Sequence, residues 1–296
     1  MSIKIILKKI RYLIEAMLAW LGLFFFGSLS LKNASNLSSF LAKFIGTKIA
    51  VNKLAISNIS KALPDIEKNE LQQIIINMWD NLGRIVGEFP HICKMTNDEL
   101  NQYIEIDEET KNNLDNLIKL DRGGIIFSAH FGNWEIGPKF LTNYGLKVRT
   151  LYRPLNNPLV EDMTAKIRGV PLIQKGASGS RDLINALKQR EYVIIMADQK
   201  ITDGEPVKFF HDDAITSTSI AKMAIKYNVP LIPGYIFRVD KNFKFKLIIE
   251  KPLEYYNKKL DKQMATNLTL KINQTIERWI KKSPEQWFWV HNRWKK

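Results

Sequence analysis

Between residues 123 and 250 the chain alternates short apolar runs with helical or loop segments, and no other feature restricts its fold as much. The runs are GGIIFSA, KVRTLYR, VPLIQK, YVIIMAD, VPLIPGYIFRV and FKFKLIIE. Each is rich in β-branched residues and several are apolar without a break, the signature of strands buried on both faces. Strands of that kind need helices on either side, so the expected class is α/β: a mostly parallel central sheet flanked by helices.

The segments around this core read as helix. Leu37, Phe40, Leu41, Phe44 and Ile45 recur at helical spacing, as do Leu71, Ile74, Ile75, Met78, Leu82, Ile85, Val86 and Phe89 ahead of Pro90. Both stripes are expected to face the core. Leu268, Ile272, Ile276, Trp279 and Ile280 form a third stripe, on a helix that stops near Pro284. The expected organisation is a membrane-attachment segment over 1–32 and one domain over 33–296. That domain is helical over 33–120, with the α/β core and a C-terminal helix over 121–296.

Residues 12–31, YLIEAMLAWLGLFFFGSLSL, carry a single charge, Glu15, and follow Lys4, Lys8, Lys9 and Arg11. A run of this length approaches what a hydrocarbon core of about 30 Å requires. A signal peptide shares the basic start, but the only cysteine is Cys93 and paired cysteines of secreted chains are missing. Basic residues flank the run on both sides, so the positive-inside rule selects no orientation. The first sixty residues hold eight basic side chains and one acidic. A helix seated in the cytoplasmic leaflet satisfies both flanks, because anionic headgroups attract each of them.

Lys and Arg outnumber Asp and Glu by 44 to 30, a net charge of +14 that favours an anionic partner. Charge leaves open whether that partner is lipid, an acidic protein or nucleic acid. One cysteine excludes internal disulfides and Cys-rich metal sites, and the four histidines lack zinc-protease spacing, so neither metal nor cofactor is expected.

The stretch SAHFGNWE, Ser128 to Glu135, carries the chemistry. Five residues along a continuous helix turn through about 500°, which leaves His130 and Glu135 on different faces. They can meet only if His130 ends a strand, Gly132 and Asn133 turn, and a helix starts near Trp134. His130 then lies at the carboxyl edge of a sheet, where ligands of open α/β folds bind. A carboxylate on one imidazole nitrogen would leave the other as a general base. On spacing alone, two unrelated polar residues at a strand end are the better explanation of the pair, because His-x4-Glu recurs by chance in a chain of this length.

Further blocks narrow the choice: YRP at Tyr152 to Pro154, ADQ at Ala197 to Gln199, the pair Phe209 and Phe210, and PEQWFWVHNRWK at Pro284 to Lys295. Taken in order with HFGNWE, they resemble the late acyltransferases of lipid A biosynthesis, the lauroyl and myristoyl transferases. The resemblance spans nearly the whole chain. It implies transfer of a fatty acyl chain from acyl carrier protein to a hydroxyl of a Kdo-bearing lipid A precursor, at the cytoplasmic face of the inner membrane. His130 would be the base and Glu135 its orienting carboxylate, with the turn N–H groups of Gly132 and Asn133 as oxyanion donors. For the anionic substrates the residues of interest are Arg153, Arg168, Lys175 and Arg181, and Asp198 would shape the site or hold a basic neighbour. KGASGSRDLINAL offers either a phosphate-receiving loop ahead of a helix or a plain cap at Ser178 or Ser180. FFHDDAIT departs from the family pattern, which leaves the shape of that loop open.

Two other acceptor classes fit the same pair, glycerol phosphate or other phospholipids and different glycolipids. A non-enzymatic membrane- or RNA-binding protein would account for the charge and the apolar start, and the ending WFWVHNRWKK suits RNA stacking, a membrane interface or a packed helix end. It gives no reason for His130 at a strand edge. The resemblance favours the enzyme, with the membrane and no nucleic acid as partners.

Overall fold

The computed structural model describes residues 3–201, 204–255 and 261–294. Helices α1 (Ile3–Ser28), α2 (Leu31–Gly46), α3 (Val51–Ala62) and α4 (Lys68–Ile92) lead into α5 (Asn97–Tyr103), the short β1 (Ile104–Glu105) and α6 (Glu108–Leu120). Strand and helix then alternate through β2 (Gly124–Ser128), α7 (Gly137–Tyr144), β3 (Val148–Tyr152), α8 (Pro158–Arg168), β4 (Leu172–Gln174), α9 (Ala177–Lys188) and β5 (Tyr192–Met196). After the hairpin β6 (Glu205–Phe209) and β7 (Asp212–Thr216) come α10 (Ser219–Tyr227), β8 (Leu231–Arg238), β9 (Phe245–Ile249), α11 (Lys262–Lys282) and a 3₁₀ turn, Pro284–Gln286.

The main sheet has the order β1-β9-β8-β2-β5-β3-β4. All its pairings are parallel except β8 with β9. This is the expected mostly parallel α/β sheet. Strand β2 explains why its sequence is apolar without alternation: Ile125 and Phe127 pack into the cluster with Trp279 of α11, while Ile126 enters the one with Phe140 and Leu141 of α7. All five residues of the α11 stripe are buried, and Trp279 stacks on Tyr235 at 4.5 Å between ring centres.

One stripe expected in the core is on the surface. Leu37, Phe40, Leu41, Phe44 and Ile45 of α2 face outward, Phe40 being 63% and Phe44 59% exposed. The face of α2 that packs on α4 is instead small and polar: Ala34, Ser35, Ser38, Ser39 and Gly46. Periodicity reports which residues share a face and not what covers it, and here α4 allows only small residues opposite. A Cβ added at Gly83 would lie 2.6 Å from that of Ala42, and one at Gly87 would collide with Ser38 and the backbone of Ala34. The α4 stripe does pack inward, except for Val86, and the helix carries Pro90 within it before ending at Ile92.

Lys4–Ser28 is one helix long and apolar enough to cross a membrane. It packs on α4 and α8. Asn157 at the start of α8 donates its amide to the Tyr12 carbonyl at 2.8 Å and to Glu15 at 3.0 Å, so the single charge of the apolar run has a partner. His91 meets the Phe26 carbonyl at 3.0 Å. Protein therefore covers one flank of α1, while Leu13, Met17, Leu18, Leu21, Phe24 and Phe25 remain exposed on it.

FFHDDAIT forms a tight antiparallel hairpin with Phe209 opposite Asp212. Phe210 turns the corner at φ 56°, and Phe209 is fully buried. The close α2–α4 packing predicts that Gly87→Val lowers stability by about 1–3 kcal/mol through overpacking. Phe44→Ser, at an exposed position, should stay within about 0.5 kcal/mol of the parent. Thermal unfolding of both variants in detergent checks this.

Candidate active site

The register of the sheet builds the site. Strands β2 and β5 are neighbours with Ser128 opposite Met196, and the Ala197 amide still donates to the Ser128 carbonyl at 2.8 Å. Two residues further along, His130 and Asp198 emerge side by side at the carboxyl edge. His130 Nδ1 lies 2.8 Å from Asp198 Oδ1, and the His130 main-chain N–H donates to Oδ2, also at 2.8 Å.

Asp198, not Glu135, is thus the carboxylate on the imidazole. Glu135 accepts two bonds from Arg168, at 2.8 and 3.1 Å, with no hydrogen bond to His130. The physical reason is the turn: α7 starts at Gly137 rather than near Trp134, and the extra non-helical residues carry Glu135 across to the last residue of α8. Its charge still reaches His130 through space.

Asp198 is fully buried and its donors come from distant segments. Trp287 donates Nε1–H to Oδ2 at 2.8 Å, and His291 lies 3.0 Å from the Asp198 carbonyl. Burial alone would raise this carboxyl, but the adjacent His130 and His291 and the donated bonds hold it far below the usual carboxylate range. Burial would likewise lower His130; Asp198, by charge and hydrogen bond, and Glu135, by charge, outweigh it and raise the imidazole above its ordinary value. His291, buried with less compensation, is lowered.

An ionised Asp198 can only accept, so Nδ1 carries the proton and Nε2 presents a lone pair. The His130 side chain is 17% exposed, enough to leave Nε2 reachable. The ring packs edge-on to Trp134 at 5.2 Å and is tilted against Phe288 at 6.2 Å. Gln199 brings its amide to 3.4 Å from Nε2.

The C-terminal segment zips along the other side of the turn. Gly132 donates its N–H to the Gln286 carbonyl at 3.0 Å and Phe288 donates to the His130 carbonyl at 3.1 Å. The N–H of Gly132 is therefore committed and does not serve as the oxyanion donor expected of it. Gly132 itself is required: it sits at φ +58°, and a Cβ there would strike the Ile236 carbonyl. Asn133 is buried, with its side-chain amide on Glu88 at 2.9 Å. Trp287, Trp289, Trp294 and Arg293 are buried in the core, which removes the RNA-stacking reading of the ending; Lys295 and Lys296 lie outside the described residues.

The remaining expected residues divide. Arg153 and Lys175 follow Tyr152 and Gln174, which are paired, so they project side by side and exposed at the same edge as the dyad. With strands about 4.8 Å apart, they lie roughly 10 and 15 Å across from β2. Arg181 is exposed on α9, which starts at Ala177 behind Gly176 with no side-chain cap. KGASGS is thus mostly helix, and neither Ser178 nor Ser180 caps it. A narrow apolar cavity of about 30 Å³ adjoins Ser128, Trp134 and Met196. It is too small for an acyl chain unless its lining moves. No cluster that could hold a metal ion occurs among the described residues.

At this strand edge a histidine is oriented by a buried carboxylate, with the Gln199 amide 3.4 Å from its second nitrogen, an arrangement able to serve as a general base. A family profile described as bacterial lipid A biosynthesis acyltransferase matches residues 3–296, and the chain belongs to that family. It is 24% identical over 270 residues to the lipid A biosynthesis palmitoleoyltransferase of Escherichia coli K12, covering 85% of this chain and 84% of that one. It is 22% identical over 253 residues to the lipid A biosynthesis lauroyltransferase of the same organism, covering 82% and 78%. A Haemophilus influenzae lipid A biosynthesis acyltransferase is 24% identical over 264 residues, covering 85% and 80%. The protein is an acyltransferase of this family.

A base at His130 would have to be neutral to act, so activity should rise with pH through its raised pKa, and the acid limb of the pH–rate profile should centre above 6.5. Asp198→Asn removes the larger raising influence while burial remains. That variant should lose roughly 10²- to 10⁴-fold in kcat and shift the limb downward. Glu135→Gln, which keeps the Nδ1 bond, should shift the limb down by less. Steady-state rates between pH 5 and 9 test the order.

Proposed function

We propose that this chain moves a fatty acyl group from the thioester of acyl carrier protein to a hydroxyl of a Kdo-bearing lipid A precursor, at the cytoplasmic face of the inner membrane. The observation that carries the reading is His130, fixed by Asp198 with Nε2 open at the sheet edge.

In this mechanism Nε2 takes the proton of the acceptor hydroxyl as its oxygen attacks the thioester carbonyl carbon. The resulting imidazolium is stabilised by Asp198. The tetrahedral oxyanion is received by main-chain N–H groups of the turn beyond Gly132, those of Asn133 and Trp134. Collapse breaks the C–S bond, and the departing thiolate of the carrier regains the proton from His130. Thiolate is a good leaving group, so the scheme uses no metal or cofactor. Glu135 acts here as the holder of Arg168, whose guanidinium also lies over Tyr152 at 5.6 Å and presents a fork suited to a phosphate or carboxylate of the acceptor.

Arg153 and Lys175, on the same edge of the sheet, and Arg181 on α9 supply positive charge to an acidic carrier protein bringing its thioester to the dyad. The outward apolar faces of α1 and α2, with the exposed Lys48 just beyond α2, seat the enzyme on the leaflet that holds its lipid acceptor. Their polar contacts to α4 and α8 favour a helix lying in the leaflet over one surrounded by hydrocarbon. Relatives named for lauroyl and for palmitoleoyl transfer agree with a fatty acyl donor.

The direct test incubates the purified full chain with acyl carrier proteins bearing several acyl lengths and a Kdo-bearing lipid A precursor, read by mass spectrometry. The expected product gains one acyl group, and His130→Ala forms it at least roughly 10²-fold more slowly. Acylation of lysophospholipid or glycerol phosphate instead, with the glycolipid untouched, would contradict the acceptor. Lys175→Glu should raise KM for the acyl carrier protein, with the increase fading as salt is added.

A further inference from the structure

Behind the turn lies a buried ion pair that the chemistry above does not use. Glu88 of α4 is fully buried and receives both Arg238 terminal nitrogens, at 2.9 and 2.7 Å. Arg238 closes β8, and its side chain is 7% exposed. Two more donors reach the same carboxylate: Ser35 Oγ from α2 at 2.7 Å and Asn133 Nδ2 from the turn at 2.9 Å. Arg238 Nε in turn donates to Asn81, whose amide donates to the Gly132 carbonyl at 3.0 Å. Gln286, which takes the Gly132 N–H, exchanges two bonds with the Arg238 main chain, at 2.7 and 2.9 Å.

Replacing a buried ion pair by apolar residues is often neutral or stabilising, so stability alone gives no reason for this one. What the pair fixes is local. Every backbone and side-chain bond that holds Gly132 and Asn133 from behind leads to Glu88 or Arg238, and these residues begin two positions after the base. We infer that Glu88, with Arg238, is a positioning residue for acyl transfer: through Asn133 and Asn81 it sets the turn that carries His130 and the oxyanion N–H groups, and through Ser35 it ties that turn to α2. The inference rests on the proposed acyl transfer. It adds that α2, whose outer face is apolar, supports the site from its inner face.

Asn133→Ala is the cleanest variant, because it cuts the direct link from Glu88 to the turn and leaves that carboxylate three donors, two from Arg238 and one from Ser35, and no unpaired charge. A misplacement of about 1 Å at a reacting group costs on the order of 100-fold, so kcat should fall between roughly 10- and 100-fold. KM for both substrates should stay within about twofold, since nothing that touches them is removed. The acid limb of the pH profile should not move, because the bond between Asp198 and His130 is intact, and the melting temperature should fall by only a few degrees, leaving the variant folded at the assay temperature. Ser35→Ala should give a smaller fall in kcat with the same pattern. Glu88→Gln strands Arg238 and can fail to fold, so Glu88→Gln with Arg238→Met serves as the neutral pair: it should fold, and transfer as poorly as Asn133→Ala. Unchanged kcat in a folded Asn133→Ala, or a loss confined to KM, would overturn the inference. Failure of the parent chain to acylate any lipid would instead overturn the reading of the site on which it rests, a result visible before any variant is made.

Discussion

A single carboxylate, Asp198, organises the sheet edge that holds His130. It is fully buried, yet it stays ionised because its partners arrive from two distant parts of the chain: the imidazole and main chain of His130, and Trp287 with, at its carbonyl, His291. A buried charge without those partners would be neutralised, and the imidazole it orients would lose both tautomer and position. The C-terminal segment is therefore part of the site. It supplies two of the groups around Asp198 and pairs its backbone with that of residues 130–132.

From this edge the structure extends outward in layers of decreasing polarity. Glu88 and Arg238 hold the turn, Arg84 and Asp80 sit one and two helical turns away on α4, and the serines of α2 meet both pairs. Beyond them α2 turns an apolar face outward beside α1. Between that exposed apolar face and the turn lie the Ser35 and Ser39 contacts of α2 and helix α4 itself.

Much of the scaffold was legible in the sequence, since continuous apolar runs such as YVIIMAD have few alternatives to a strand buried on both faces. The C-terminal stripe was legible too, because its five residues are large and recur over several turns. The α2 stripe failed for a physical reason. Leu37, Phe40 and Phe44 show the same period whether protein or lipid covers them, and the signal for the true buried face was the small set Ala34, Ser35, Ser38 and Ser39 opposite Gly83 and Gly87. At the site, His130 and Asp198 each end an apolar run, a pattern visible in the sequence. That their strands are neighbours is a matter of sheet order, which places β5 between β2 and β3 and which local spacing does not encode. Local spacing favours Glu135, the acid nearer in sequence, for that reason. Glu88 and Arg238 left no local signal at all, being 150 residues apart and joined only in the folded core.

The central claim is that Asp198 fixes the proton of His130 on Nδ1 and leaves Nε2 as the base. Nitrogen-15 NMR of the His130 imidazole in the full-length protein, above its pKa, measures this directly. The account predicts a protonated Nδ1 and an unprotonated Nε2, with that preference lost in Asp198→Asn and kept in Glu135→Gln. A proton on Nε2, or a preference that follows Glu135 instead of Asp198, would contradict it.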